Sequence, residues 1–165
     1  MFKKQGKNSF YSSGLKFSCT RCSNCCRHDP GHVFLSQNDL SRLEAAFNSA
    51  HEEFISTWCR WIPSAGGMEK LSLKEASNYD CIFWSEEKGE NGGCSVYEAR
   101  PLQCRSFPFW DTVLVSPAAW KDVGMDCPGM DRGSFHSSEV IKNWLDMQEN
   151  EPFITRKKKN RGDTL

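Results

Sequence analysis

The chain lacks any run of about 18 apolar residues, the length a helix needs to cross a bilayer, so no membrane partner is expected. It also lacks an excess of either charge. Its 21 basic residues balance 21 acidic ones, which argues against a dedicated nucleic-acid binder, whose hold on phosphates needs a clear surplus of Lys and Arg. The opening stretch MFKKQGKNSFYSSGLKF carries lysines but no apolar core of a secretory signal, which points to a cytoplasmic chain. There is no HExxH, no GxGxxG, no nucleotide loop and no Ser-His-Asp ordering, so no catalytic residue is assigned and the reading leans away from an enzyme. Apolar residues reach only 38%, and the 11 Phe and 6 Trp supply much of that. The core should therefore be small and aromatic, of the kind that gains from a metal or covalent staple.

What the chain does have is cysteine. Nine are present, and FSCTRCSNCCRH at 17–28 puts Cys19, Cys22, Cys25 and Cys26 within eight positions. In a reducing compartment such thiols speak for metal or redox chemistry rather than disulfides. Cys19-x-x-Cys22 has knuckle spacing and Cys22-x-x-Cys25 repeats it, so neighbouring sulfurs can reach one ion. Three cysteines so spaced, with a remote Cys127-Pro128, also resemble the ligand spacing of an iron–sulfur cluster. Adjacent side chains point apart, so Cys25 and Cys26 are more easily given to different ions, unless one of them bridges two. Cys59 stands aside: the pattern puts it mid-helix between Trp58 and Trp61, as a small buried residue and at most the one thiol that reacts while metal is bound. The other eight are Cys19, Cys22, Cys25, Cys26, Cys81, Cys94, Cys104 and Cys127, enough for two tetrahedral sites. Zinc is the expected ion, with iron or an iron–sulfur cluster as the alternative, because both metals accept four thiolates.

The pattern gives an α+β fold: a small single domain of short helices and a β-hairpin, organised around a cysteine-ligated metal centre. Residues 1–16 read as a flexible leader, 17–150 as the metal-binding domain and 151–165 as a basic, disordered tail. Ser36 caps a helix with Asp39 three residues on, and Ser49 opens a second with Glu52 in the matching place, running to Pro63. Met68–Leu73 and Cys81–Trp84 are strand candidates, Cys94–Tyr97 returns from a polar loop at 86–93, and Arg100-Pro101 opens a turn carrying Cys104. Thr112–Val115 reads as a short strand. Ser137 or Ser138 caps a last helix with Val140, Ile141, Trp144 and Leu145 facing inward.

Several ordered motifs bear a family resemblance. Phe17-Ser-Cys19-x-x-Cys22-x-x-Cys25-Cys26-Arg27 resembles the CxxCxxCC signature of YkgJ-type cysteine-cluster proteins, described as zinc- or iron-chelating. Cys94-x-Val-Tyr97-Glu-x-Arg100-Pro101-x-x-Cys104-Arg105-x-Phe107-Pro108 is similar to that family's CxIYexRPxxCRxFP block, and Cys127-Pro128-Gly129 to its closing Cys-Pro-Gly. Tyr79-Asp80 stands before Cys81 where the family has glycine, and Trp84 where it has Leu. His28 and His32 are not part of the pattern. The resemblance covers about residues 17–130 and implies metal chelation; a larger relative, a flagellin lysine N-methylase, shares the cysteine block.

Two thiolate sites holding divalent ions would each carry a charge of −2, which needs compensation if buried. Arg27, Arg100 and Arg105 flank the cysteines and can donate to sulfur, with Tyr97 and Phe107–Trp110 as an aromatic cover. Each arginine has a plainer role as a surface ion pair, for example Arg100 with Glu98. The expectation is a metal-binding module used for structure or metal handling, its partner the ion and a further protein. The alternatives are an enzyme with an iron–sulfur or dinuclear centre for methyl transfer or radical chemistry, and a zinc-ribbon-like adaptor.

Overall fold

The computed structural model describes residues 9–89 and 92–158. In chain order its elements are a 3-10 turn Phe10–Ser13, β1 Leu15–Phe17, a 3-10 turn Asn24–Cys26, α1 Gln37–Phe47, α2 His51–Trp58, β2 Cys59–Ser64, β3 Met68–Leu73, β4 Trp84–Ser85, β5 Gly93–Cys94, a 3-10 turn Tyr97–Ala99, α3 Leu102–Ser106, α4 Pro117–Asp126, β6 Met130–His136, α5 Ser138–Asn150 and β7 Thr155–Lys157. Helices and small antiparallel sheets are mixed, as expected of an α+β chain. They fall into two compact units, one from Met1–Cys25 with Ser106–Asn150 and one from Cys26–Arg105 with Glu151–Leu165.

The first unit pairs β1 with β6, Leu15 opposite His136 and Phe17 opposite Met130. Its core is aromatic: Tyr11, Phe17, Phe109 and Trp120 are buried with Val113, Leu114, Met130 and Ile141. Residues 9–16 are therefore not a flexible leader: Tyr11 is 2% exposed, and an aromatic side chain so buried anchors the segment. The leader's residues 1–8 lie outside the described residues. Thr112–Val115 forms turns instead of a strand, with Val113 N donating to Trp110 O at 3.0 Å and Leu114 N to the same carbonyl at 2.8 Å. α4 carried a signal that went unread: Ser116 accepts from Ala119 N at 3.1 Å and Pro117 takes the first position, the preferred start of a helix. Along α5, Ile141 is fully buried while Val140 stays 40% exposed, so the inward face is narrower than the pattern suggested.

The second unit is built on a three-stranded sheet, β2-β3-β7. α1 opens with the expected capping box: Ser36 accepts from Asp39 N, and the Asp39 carboxylate accepts from Ser36 N at 3.1 Å. α2 begins at His51 with Ala50 rather than Ser49 as its cap, and it ends at Trp58. Cys59–Ser64 is then a strand, not more helix. Antiparallel pairing of Cys59 with Leu73, Trp61 with Leu71 and Pro63 with Glu69 gives its backbone groups partners that a Pro-ended helix could not. Leu35, Leu40, Leu43, Phe54, Leu71 and Phe83 make the core of this unit, each burial worth about 1.5–3 kcal/mol.

The chain's end is not a loose tail as far as it is described. β7 adds to β3, Glu69 opposite Arg156, and Arg156 Nε donates to Glu69 at 2.8 Å while its guanidinium lies 4.0 Å over Trp61. Backbone pairing and one stacked cation dock β7, directly after Ile154, which packs on the apolar core of this unit. Residues 159–165, also expected to be disordered, lie outside the described residues. Each unit thus has an apolar core of its own.

Candidate metal centre

The first group of thiols follows β1. Ser18 N donates to Gly129 O at 3.2 Å, and the chain then runs through Cys19, Cys22 and Cys25 with Arg21 (φ 57) and Ser23 (φ 65) in the left-handed region. Non-glycine residues there cost roughly 1–2 kcal/mol each, strain that persists only where the surroundings impose it. Asn24 Nδ2 donates to Asp126 O at 2.8 Å, which ties the loop to the last residue of α4, directly before Cys127. Gly129 is needed for this approach, since a Cβ there would lie 2.2 Å from Ser18 O. Burial pushes the Cys127 thiol up, the Gly129 N–H pulls it down, and Cys22, Cys25 and Cys19 push it up again, so these four sulfurs share one neighbourhood. Cys19, Cys22 and Cys25 are exposed and Cys127 is half-buried.

The second group lies in the other unit. Cys81 N donates to Cys26 O at 2.8 Å, and Trp84 N to Cys81 O at 2.8 Å. Trp84 faces Cys94 across the β4–β5 hairpin, and Cys81 and Cys94 pack on the apolar core. Cys104 sits on α3, whose first N–H, that of Leu102, donates to the Asp39 carboxylate at 2.7 Å. Cys26, Cys81, Cys94 and Cys104 are all half-buried.

The expected cations are present with different partners. Arg27 donates to Asp80 at 3.1 Å and lies 3.6 Å over the Trp84 ring. Burial works against the Asp80 charge, but the Arg27 and Asn78 hydrogen bonds hold its carboxyl below the ordinary range. Arg100 does not reach Glu98; it lies 3.4 Å over Tyr97 and donates to that residue's carbonyl at 2.8 Å. Arg105 Nε donates to Arg100 O at 3.1 Å, and its pKa falls through burial first and then the charge of Arg42. Among the described residues neither Arg100 nor Arg105 forms an ion pair with a carboxylate. As the side chains stand, no three or more His, Cys, Asp or Glu of the described residues make a ready ligand cage. The donors themselves are soft thiols in two sets, the chemistry that zinc and iron accept.

A family model described as a "putative zinc- or iron-chelating domain", with the signature CxxCxxCC, matches residues 18–133. The chain belongs to the CxxCxxCC family. It is also 28% identical over 109 residues to an uncharacterized protein of Methanocaldococcus jannaschii, MJ0661, across 66% of this chain and 53% of that relative. The chain thus spans about half the length of the curated relative it matches. No solved structure matches it. Zinc or iron chelation is accordingly the function class of this CxxCxxCC chain.

Within the CxxCxxCC domain Cys59 stays apart. It is 5% exposed at the junction of α2 and β2, opposite Leu73, and burial pushes its thiol up to about 12. It is therefore the most sheltered of the thiols, a core residue as the pattern suggested, though at a helix end and not mid-helix. His32 lies by Phe34, ring centroids 5.5 Å apart, and contacts Arg60. Two positioning residues went unread. Asn24 was hidden among cysteines, and Asp39 was seen only as a cap, although its carboxylate reaches 63 positions along the chain to Leu102.

Proposed function

We propose that the chain is a two-site metal-chelating module, with Cys19, Cys22, Cys25 and Cys127 on one ion and Cys26, Cys81, Cys94 and Cys104 on the other. The observation that carries this reading is the division of the thiols. The two units part at the peptide bond between Cys25 and Cys26, and each unit then owns four of the eight. Four thiolates complete a tetrahedral zinc or iron site. The ligands close on the ion as it binds, so binding free energy becomes folding free energy. A −2 charge at the second site would be offset in part by Arg100 and Arg105, neither of which forms an ion pair with a carboxylate among the described residues. A reducing compartment, the cytoplasm, suits chemistry that needs thiolates.

The test is anaerobic purification followed by elemental analysis and a visible spectrum. About two ions per chain are expected: colourless protein if zinc, coloured protein if iron. Cys22→Ser and Cys94→Ser should each lose one equivalent and keep the other. Loss of both equivalents, or of neither, in either variant would refute the division.

A further inference from the structure

We infer that the two sites do different jobs: the first gives its ion up to an external thiolate acceptor, and the second keeps its ion as part of the fold. This rests on the four-and-four assignment above. Three of the four thiols in the first set, Cys19, Cys22 and Cys25, are exposed, whereas none of the second set is. Ligand exchange proceeds by an incoming donor reaching the ion, so exposed sulfurs set the easier path.

Backbone support differs in the same direction. Cys19, Cys22 and Cys25 ride on a loop outside any helix or strand except the short turn Asn24–Cys26, with left-handed Arg21 and Ser23, and its ties include Asn24 on Asp126 O and Ser18 N on Gly129 O. A segment with few buried apolar contacts opens at low cost. Cys81 and Cys94 instead flank a hairpin packed on the core of their unit, and Cys104 rides on a helix pinned by buried Asp39. Opening that site means moving packed side chains.

Charge adds to the difference. Arg100 and Arg105 flank Cys104 in the chain, and neither forms an ion pair with a carboxylate among the described residues. Two guanidinium charges matching a −2 thiolate centre hold an ion more firmly, since partners outside the ligand set change metal affinity by about 10–100-fold. The exchange itself is redox-neutral. An acceptor thiolate takes one position on the ion, a chain sulfur leaves as thiolate and picks up a proton from water, and the steps repeat until the ion has moved.

The experiment uses the full chain carrying the ions with which it is purified. EDTA is added in excess under anaerobic conditions, and bound metal is measured over time after desalting. Pulses of N-ethylmaleimide followed by peptide mass spectrometry report which thiols have opened. One equivalent should leave at least about tenfold faster than the other, the low end of that outer-partner effect. Alkylation of Cys19, Cys22, Cys25 and Cys127 should keep pace with it. Loss of both equivalents at one rate, or earlier alkylation of Cys26, Cys81, Cys94 and Cys104, would overturn the inference while leaving two-site binding intact. Protein holding less than one ion per chain would overturn the two-site reading itself. Arg105→Gln should hasten the slow loss only; an unchanged slow rate would remove the arginines from the explanation.

Discussion

Asp39→Ala should be the most damaging single change in the second unit outside its apolar core. The side chain is 1% exposed and serves four donors. One oxygen accepts from Leu102 N at 2.7 Å and from Arg42; the other accepts from Ser36 N at 3.1 Å and Ser36 Oγ at 2.9 Å. Removing it strands two buried N–H groups, at about 1–3 kcal/mol each, and ends the capping box, at about 1 kcal/mol. The Arg42 pair adds less than about 1 kcal/mol, because the guanidinium side chain is 37% exposed and screened. The sum is about 3–8 kcal/mol, or roughly 6–30 °C in melting temperature for a chain of this length. Asp39→Asn keeps one acceptor and should lose about half as much, and Ser36→Ala only the cap, about 1 kcal/mol. Urea unfolding followed by circular dichroism gives the three values. A loss below about 1 kcal/mol for Asp39→Ala would mean that water or a neighbour satisfies Leu102 N, and that Asp39 does not set the helix bearing Cys104.

Ending the chain after Ile154 should cost about 2–4 kcal/mol, because it removes the β7 rungs and the Arg156 stack on Trp61; an unchanged melting temperature would show that β7 contributes nothing. Cys59→Ser should keep its full metal content and lose about 1–3 kcal/mol for a hydroxyl in an apolar setting. In the unaltered protein, Cys59 should resist alkylation at pH 8 until unfolding, since burial holds its thiol at about 12; early labelling would contradict that. Glu75 titrates low: burial opposes its charge, but the Gly31 N–H and Arg60 outweigh it. Its share of stability is therefore complete above the unfolded value near ~4.3 and fades as pH falls through the lower folded value. The stability gap between the parent and Glu75→Gln should hold steady from pH 7 to about 5 and narrow in acid; a gap that widens on acidification would reverse the assignment.

The parts legible in the sequence were those with local causes. Ser36 and Asp39 announce a helix start within four residues, and Gly-rich 86–93 announces a hairpin. The CxxCxxCC motif of Cys19, Cys22, Cys25 and Cys26, which marks the family, was legible by spacing. What failed was decided at a distance. The apolar residues of 49–62 fit one helical face, but Cys59–Ser64 takes its partner from β3, and no periodicity within the segment reports a neighbour's edge. β7 has no apolar signal at all, because its attachment is backbone pairing and a single arginine. The adjacency of Cys25 and Cys26 already suggested different ions, but which unit takes each was out of reach, since it follows from packing between residues more than a hundred positions apart, such as Phe17 with Met130.

The interleaving of the units has a consequence for biosynthesis. The first unit is discontinuous: its opening segment ends at Cys25 and its remainder begins only at Ser106, with 26–105 of the second unit emerging from the ribosome in between. Under the four-and-four assignment, the inner set is complete once Cys104 is out, while Cys19, Cys22 and Cys25 wait for Cys127, twenty-three residues later. At bacterial-to-eukaryotic elongation speeds that interval is roughly 1–5 s. Throughout it the nascent chain displays three orphan sulfurs beside a finished quartet, so an ion captured too early by the wrong trio is the misassembly this topology invites, and delivery of metal after release of the complete polypeptide is what avoids it.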